Sequence, residues 1–176
     1  MKPDTRVSQT IENLFRRGEW KKARREITKE LRRSPDDHWL LTRLAMTHSE
    51  QRRYDKALEI SEKAVAFAPR CPLALWDYAC CLDMTGKHQK AITIWKKLLR
   101  RGLLAIARGD HGEGIPWARS LLNDCRYRIA LSYRKQGAVG LACRYLRRHI
   151  AERSRSTRSI YTLADVKREA GRLCLQ

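Results

Sequence analysis

The sequence predicts an all-α fold, a right-handed α-solenoid of about four helix–turn–helix repeats closed by a C-terminal helix. Three observations carry this. Ala23, Ala57 and Ala91 follow one another at a step of 34 residues, and Pro35 and Pro69 keep the same step. A ring or imidazole stands three residues before each alanine: Trp20, Tyr54 and His88. Apolar residues within each period recur at the i, i+3, i+4, i+7 spacing of one helix face. A period shared by unlike residue types marks small supersecondary units, each of which must stack on its neighbours to bury its apolar side.

The elements follow in order. The first repeat covers residues 4–37 and places Gly18 between its paired helices, where a left-handed residue ends a helix cheaply. The second, 38–71, has a first-helix stripe of Leu41, Leu44, Ala45 and His48 and a second-helix stripe of Ala57, Leu58, Ser61, Ala64 and Val65. Arg52 stands where Gly18 stood, which predicts a different turn. The third, 72–105, repeats the pattern with Leu75, Tyr78, Ala79 and Leu82, then Gly86, then Ala91, Ile92, Trp95, Leu98 and Leu99. Pro35 and Pro69 stop the second helices, and Asp36 or Asp37 can cap the helix that follows.

The rhythm then fails over residues 106–122, which hold a glycine-rich turn and Pro116, a good first helical residue. One long helix is expected from Pro116 to Lys135. Inside it the repeat resumes: Ile129, Ala130, Tyr133, Gly137 and Ala142 match Tyr78, Ala79, Leu82, Gly86 and Ala91 at an offset of 51. This sets a fourth repeat at 123–156. Leu163, Ala164 and Gly171 repeat Ile129, Ala130 and Gly137 after another 34 residues, so 157–173 reads as a helix capping the last repeat. The whole chain, 1–176, reads as one domain.

Leu41, Leu44, Ala45, Tyr54, Ala57, Ala64 and Pro69, with the matching Leu75, Tyr78, Ala79, Gly86, His88, Ala91 and Leu98, make the chain resemble the tetratricopeptide repeat family. The resemblance implies a scaffold that binds a peptide or protein segment in a concave groove lined by the first helices. The groove positions it implies are Trp39, Thr42, Arg43 and Met46, then Trp76, Asp77, Cys80 and Asp83, then Tyr127, Arg128, Leu131, Arg134 and Lys135. Trp39 and Trp76 either anchor a peptide as exposed rings or pack between adjacent repeats. Some family members clamp a partner's terminal carboxylate with basic and Asn side chains. Ser8 and Glu12 stand at the corresponding places here and do not make that clamp.

Charge offers an alternative. Thirty-eight Lys and Arg against nineteen Asp and Glu give a net charge of +19, which attracts nucleic acid, an acidic membrane surface or an acidic protein. The excess gathers on second helices. Arg16, Arg17, Lys21, Lys22, Arg24 and Arg25 form one group, and Arg144, Arg147 and Arg148 another. Such a convex face would suit an RNA- or ribosome-associated protein that reads phosphates rather than bases. Self-association is also open to a stacked scaffold.

Catalysis, cofactor and metal are not expected. Asp110, His111 and Glu113 fit no phosphate-loop or dinucleotide pattern and read as a surface turn. Cys125 and His149 fall on buried stripes and read as core. Six cysteines without a CxxC read as reduced thiols serving as small apolar residues. No apolar run reaches the ~20 residues of a membrane span and no secretory leader is visible, so the expected compartment is the cytoplasm.

Overall fold

The computed structural model describes residues 5–153 and 157–174. They form ten helices and, among the described residues, no strand. The helices are α1 (Thr5–Arg16), α2 (Trp20–Leu31), α3 (His38–Ser49), α4 (Tyr54–Phe67), α5 (Pro72–Met84), α6 (His88–Arg101), α7 (Leu103–Arg108), α8 (Ile115–Lys135), α9 (Val139–Arg153) and α10 (Leu163–Cys174). The all-α expectation holds. The chain falls into two compact units, Met1–Thr85 and Gly86–Gln176.

In the first unit, α1, α2 and α3 meet through Ile11, Phe15, Ala23, Ile27, Trp39 and Leu40. A second cluster joins α3 to α4 and α5 through Leu41, Ala45, Ile60, Ala64 and Ala74. The periodic alanines sit at the closest approaches: Ala23, Ala57 and Ala79 are 0% exposed and Ala45 is 1%. A methyl group there lets paired helices cross closely, and a larger side chain would overpack the seam. Asp37 caps α3, its carboxylate accepting from the Leu40 N–H at 3.0 Å.

The turns between paired helices share one geometry. Gly18 has φ +68°. Its N–H donates to Phe15 O, and the next N–H, of Glu19, reaches back to Leu14 O. This is the paired closure that satisfies the last carbonyls of a helix. Arg52 does the same with φ +58°: its N–H donates to Ser49 O and that of Arg53 to His48 O. The different turn expected at Arg52 is therefore corrected. The helix ends demand a left-handed residue, and an arginine is forced into it at a steric cost of about 1 kcal/mol.

In the second unit, Ile92, Trp95 and Leu98 of α6 are fully buried, as are Ala118, Cys125, Ile129 and Ala130 of α8 and Ala142, Leu146 and His149 of α9. The stretch 106–122 holds the end of α7, a turn at 109–114 and the first two turns of α8. Gly112 is required there by space. A Cβ on it would lie 2.3 Å from Ala107 O.

The C-terminal region departs from expectation in two ways. The helix begins at Leu163 rather than 157. Residues 157–162 instead run outside helix, held by Asp124, whose carboxylate accepts from Ser159 Oγ at 2.5 Å and from the Ile160 N–H at 3.3 Å. The packing register also differs. Ala164, matched in sequence to the buried Ala130, is exposed. Val166, at 0% exposure, and Ala170 and Leu173 carry the contact with Tyr127, Ala130 and Leu146. The stripe Val166, Ala170, Leu173 follows i, i+4, i+7, the spacing of one buried helix face.

Candidate functional site

The first unit concentrates partly enclosed polar groups on neighbouring first helices. Arg43 of α3 lies over the rings of Trp39 and Phe15, its guanidinium carbon 5.0 and 5.9 Å from their centroids. Its NH2 pairs with Glu12 Oε1 at 2.8 Å. The rings beneath and the carboxylate at one end fix the fork in place. Asp77 of α5 lies 34 residues further on, at the equivalent turn of the next first helix. Burial pushes its carboxyl up to about 7, against the downward pull of the Arg43 charge.

Three atoms of this cluster are closed off and without a hydrogen-bond partner: Asp77 Oδ2, Trp76 Nε1 and Arg43 Nε. The residues Arg43, Trp76 and Asp77 nonetheless remain half-buried rather than sealed. An orphaned buried donor or acceptor costs about 1–3 kcal/mol. These residues therefore offer one unmet acceptor and two unmet donors on α3 and α5.

The other implied groove positions divide. Trp39, Thr42, Asp83 and Tyr127 are 6%, 1%, 2% and 7% exposed, so none of the four presents an open side chain. Trp39 is taken up by the packing of α1 and α2 against α3, and the Thr42 hydroxyl donates back to His38 O at 2.7 Å. Tyr127 is closed in by His149 and Tyr161, with ring centroids 5.3 and 4.3 Å away. Met46 packs on the Ile11 cluster and Leu131 on the Val166 cluster. Cys80 is half-buried and outside any disulfide. Arg128 lies over Trp95 at 5.5 Å, Arg134 is paired with Glu169 of α10, and Lys135 is exposed.

Models of the tetratricopeptide repeat match residues 42–100 and 124–154, together about half of the chain. The chain belongs to the tetratricopeptide repeat family. The solved structures it resembles agree on the fold, an all-α tetratricopeptide-repeat solenoid. They include MamA 41-end from Desulfovibrio magneticus RS-1, with a TM-score of 0.62 and 14% identity over 83% of this chain and 73% of that one. PilW, described as a widely conserved type IV pilus biogenesis factor, gives a TM-score of 0.67 and 19% identity; 84% of this chain covers 60% of that one. A thermophilic tetratricopeptide-repeat protein of Thermus thermophilus gives 0.50 and 16%, over 97% and 98% of the two chains. No curated protein matches in sequence.

The basic residues of this tetratricopeptide-repeat protein are not equivalent. Arg16, Arg17, Lys21, Lys22 and Arg25 are exposed, as are Arg144, Arg147 and Arg148 on α9. Lys22 is paired with Glu19, and Arg16 donates to Asn13. Arg24 is half-buried: its Nε reaches Thr47 Oγ1 at 3.3 Å, and its NH2 donates to Thr47 O and Gln51 Oε1. Lys29 and Arg32, which belong to the same basic run of residues 16–33, extend the α2 face. They lie four and seven residues beyond Arg25.

The reactive side chains of Cys125 and His149 resolve into structural roles. Cys125 and His149 are both fully buried. His149 Nδ1 is 2.9 Å from Asn123 O, and burial holds the ring's pKa below its usual range, so it packs as a neutral core group. The expectation of six reduced thiols is corrected at Cys143, which is disulfide-bonded; Cys71, Cys80, Cys81 and Cys125 are reduced thiols. Disulfide pairing depends on which side chains tertiary packing brings together, and spacing along this chain did not reveal it. The Cys174 side chain lies outside the described residues. No helix among the described residues is long and apolar enough to cross a membrane.

Proposed function

We propose that the protein is a non-enzymatic scaffold that binds an extended peptide segment of a partner across α3 and α5 of its first unit. The observation that carries this reading is the cluster of Asp77 Oδ2, Trp76 Nε1 and Arg43 Nε, closed off and unpartnered on half-buried residues. An extended backbone presents N–H and C=O groups in alternation, so one strand can donate to Asp77 and accept from Trp76 and Arg43. Small side-chain rotations expose the three atoms to it, and each satisfied atom recovers part of its ~1–3 kcal/mol penalty. The Trp76 ring supplies apolar area beside these polar contacts, the usual composition of a binding hot spot. Membership of a family of helical-repeat scaffolds supports the reading further.

The test is selection from a library of unstructured 12-residue peptides, followed by calorimetry against wild type, Trp76→Ala and Asp77→Asn. Selected peptides should bind wild type and weaken at least tenfold with Trp76→Ala. Peptides that bind both variants as tightly as wild type would refute the site.

A further inference from the structure

The outer face of α2 forms an open cavity of about 590 Å³ lined by Lys21, Arg24, Arg25, Thr28, Lys29 and Arg32. Five of these six are cationic and none is acidic. They fall at i, i+3, i+4, i+7, i+8 and i+11, a single stripe opposite the buried Ala23 and Ile27. The acids of α2 and its approach, Glu19, Glu26 and Glu30, lie on the other flank, where Glu19 neutralises Lys22 and Glu30 neutralises Arg33. Charges on this helix are therefore sorted. Paired ones share one flank, and Lys21, Arg25, Lys29 and Arg32 stand exposed with no ion pair among the described residues.

We infer that this stripe is a docking surface for the phosphate backbone of a nucleic acid duplex. Lys21, Arg25 and Lys29 repeat every fourth residue, in axial steps of about 6 Å, and the row ends at Arg32 after about 16 Å. That length faces about five phosphates of one duplex strand, at about 3.4 Å each. Arg24, held against Thr47 and Gln51, is a fixed edge to the row rather than a free arm. Thr28 adds an exposed hydroxyl in the middle, another donor that phosphates accept. No aromatic side chain lines the stripe, so it lacks the stacking platforms on which single strands are held. It also lacks the apolar face with which an interfacial helix enters a membrane, because the apolar side of α2 is consumed by the core. What remains is backbone recognition without base reading.

The experiment uses the full chain and a fluorescent 20-base-pair duplex, with anisotropy read from 50 to 300 mM salt. With four or five phosphates engaged, log K against log salt should fall with a slope of about −4. The variant Lys21→Glu/Arg25→Glu/Lys29→Glu should bind at least tenfold more weakly at 50 mM salt, with a slope shallower by about three units. Circular dichroism confirms its helix content. The control Arg144→Glu/Arg147→Glu/Arg148→Glu changes net charge by the same amount on α9 and should bind as wild type. Equal weakening by both variants would mean that net charge, not the stripe, binds the duplex, and would overturn the inference. So would an unchanged slope in the α2 variant. Loss of binding to phosphatidylserine vesicles with duplex binding intact would overturn it in favour of a membrane surface.

Discussion

Replacing Asp77 with Asn should make the first unit more stable at pH 8 and leave it nearly unchanged at pH 4. Burial raises the Asp77 carboxyl from 3.8 to about 7. A group raised in the folded state contributes stability that is fully present below its unfolded value, near 4, and lost as pH climbs through 7. The shift is about three units at about 1.36 kcal/mol each, an upper figure of ~4 kcal/mol. Asp77 is half-buried as a residue, and water at its exposed side screens part of this, which leaves about 2–4 kcal/mol. Asn mimics the protonated carboxyl in shape and charge, so it removes the pH-dependent loss without opening a cavity. The assay is urea denaturation of the full chain by circular dichroism at pH 4, 6 and 8, compared between wild type and Asp77→Asn. The difference between the two proteins isolates Asp77 from every other titrating group. A constant difference across the three pH values, or a variant less stable than wild type at pH 8, would refute the claim that this carboxylate is held charged at a cost.

Arg52→Gly should raise the melting temperature, with a gain of about 0.5–1 kcal/mol, because glycine adopts the left-handed turn without the steric cost and the exposed Arg52 side chain loses no packing; a lower melting temperature would show that the arginine is not strained there. Asp124→Ala should release residues 159–160, since Ser159 Oγ and the Ile160 N–H lose their shared acceptor, and the Ile160 amide should exchange with solvent deuterium at least tenfold faster. Burial raises Asp124 from 3.8 to about 6, so wild type loses part of its stability as pH rises through that window, and Asp124→Ala should abolish that loss in a pH series of thermal melts.

Much of the helical framework was legible because it is local. The alanines at 23, 57 and 91 and the first-helix positions 45 and 79 recur at a fixed step, and each is buried in the structure. The glycine positions 18 and 137 carry positive φ where the pattern placed helix ends. The turn at Arg52 was misread because sequence reports what a residue prefers, and here the geometry of two helix ends overrides that preference. The last helix was misread for a related reason. Leu163 and Ala164 continue the periodic match, yet Val166 faces the core, because packing against Tyr127 and Leu146, not the repeat register, decides which stripe of α10 is buried.

The site was legible only in part. Helical spacing put Arg43 and Asp77 one repeat apart on equivalent helices, with Trp76 beside Asp77 in the chain. It left open whether Trp39 packs between repeats and could not reveal that Thr42, Asp83 and Tyr127 are covered, because covering depends on side chains from helices distant in sequence. The same limit applied to the charges. Composition registered an excess on α2, but not that Arg24 is tied to α3 while Lys29 and Arg32 complete an unopposed row.

The sequence by itself thus determined the all-α repeat, the seams where small residues let helices cross, and the places where the rhythm breaks. Each of these follows from periodicity along one strand of chain. The tertiary structure alone decided which ionisable groups meet. Glu12 finds Arg43, Glu169 finds Arg134, Asp124 takes hold of Ser159, and Asp77 and Trp76 are left with atoms unsatisfied. Pairing energies fall off steeply with distance and depend on enclosure. They are fixed only once residues about 31–35 positions apart have been brought within a few ångströms.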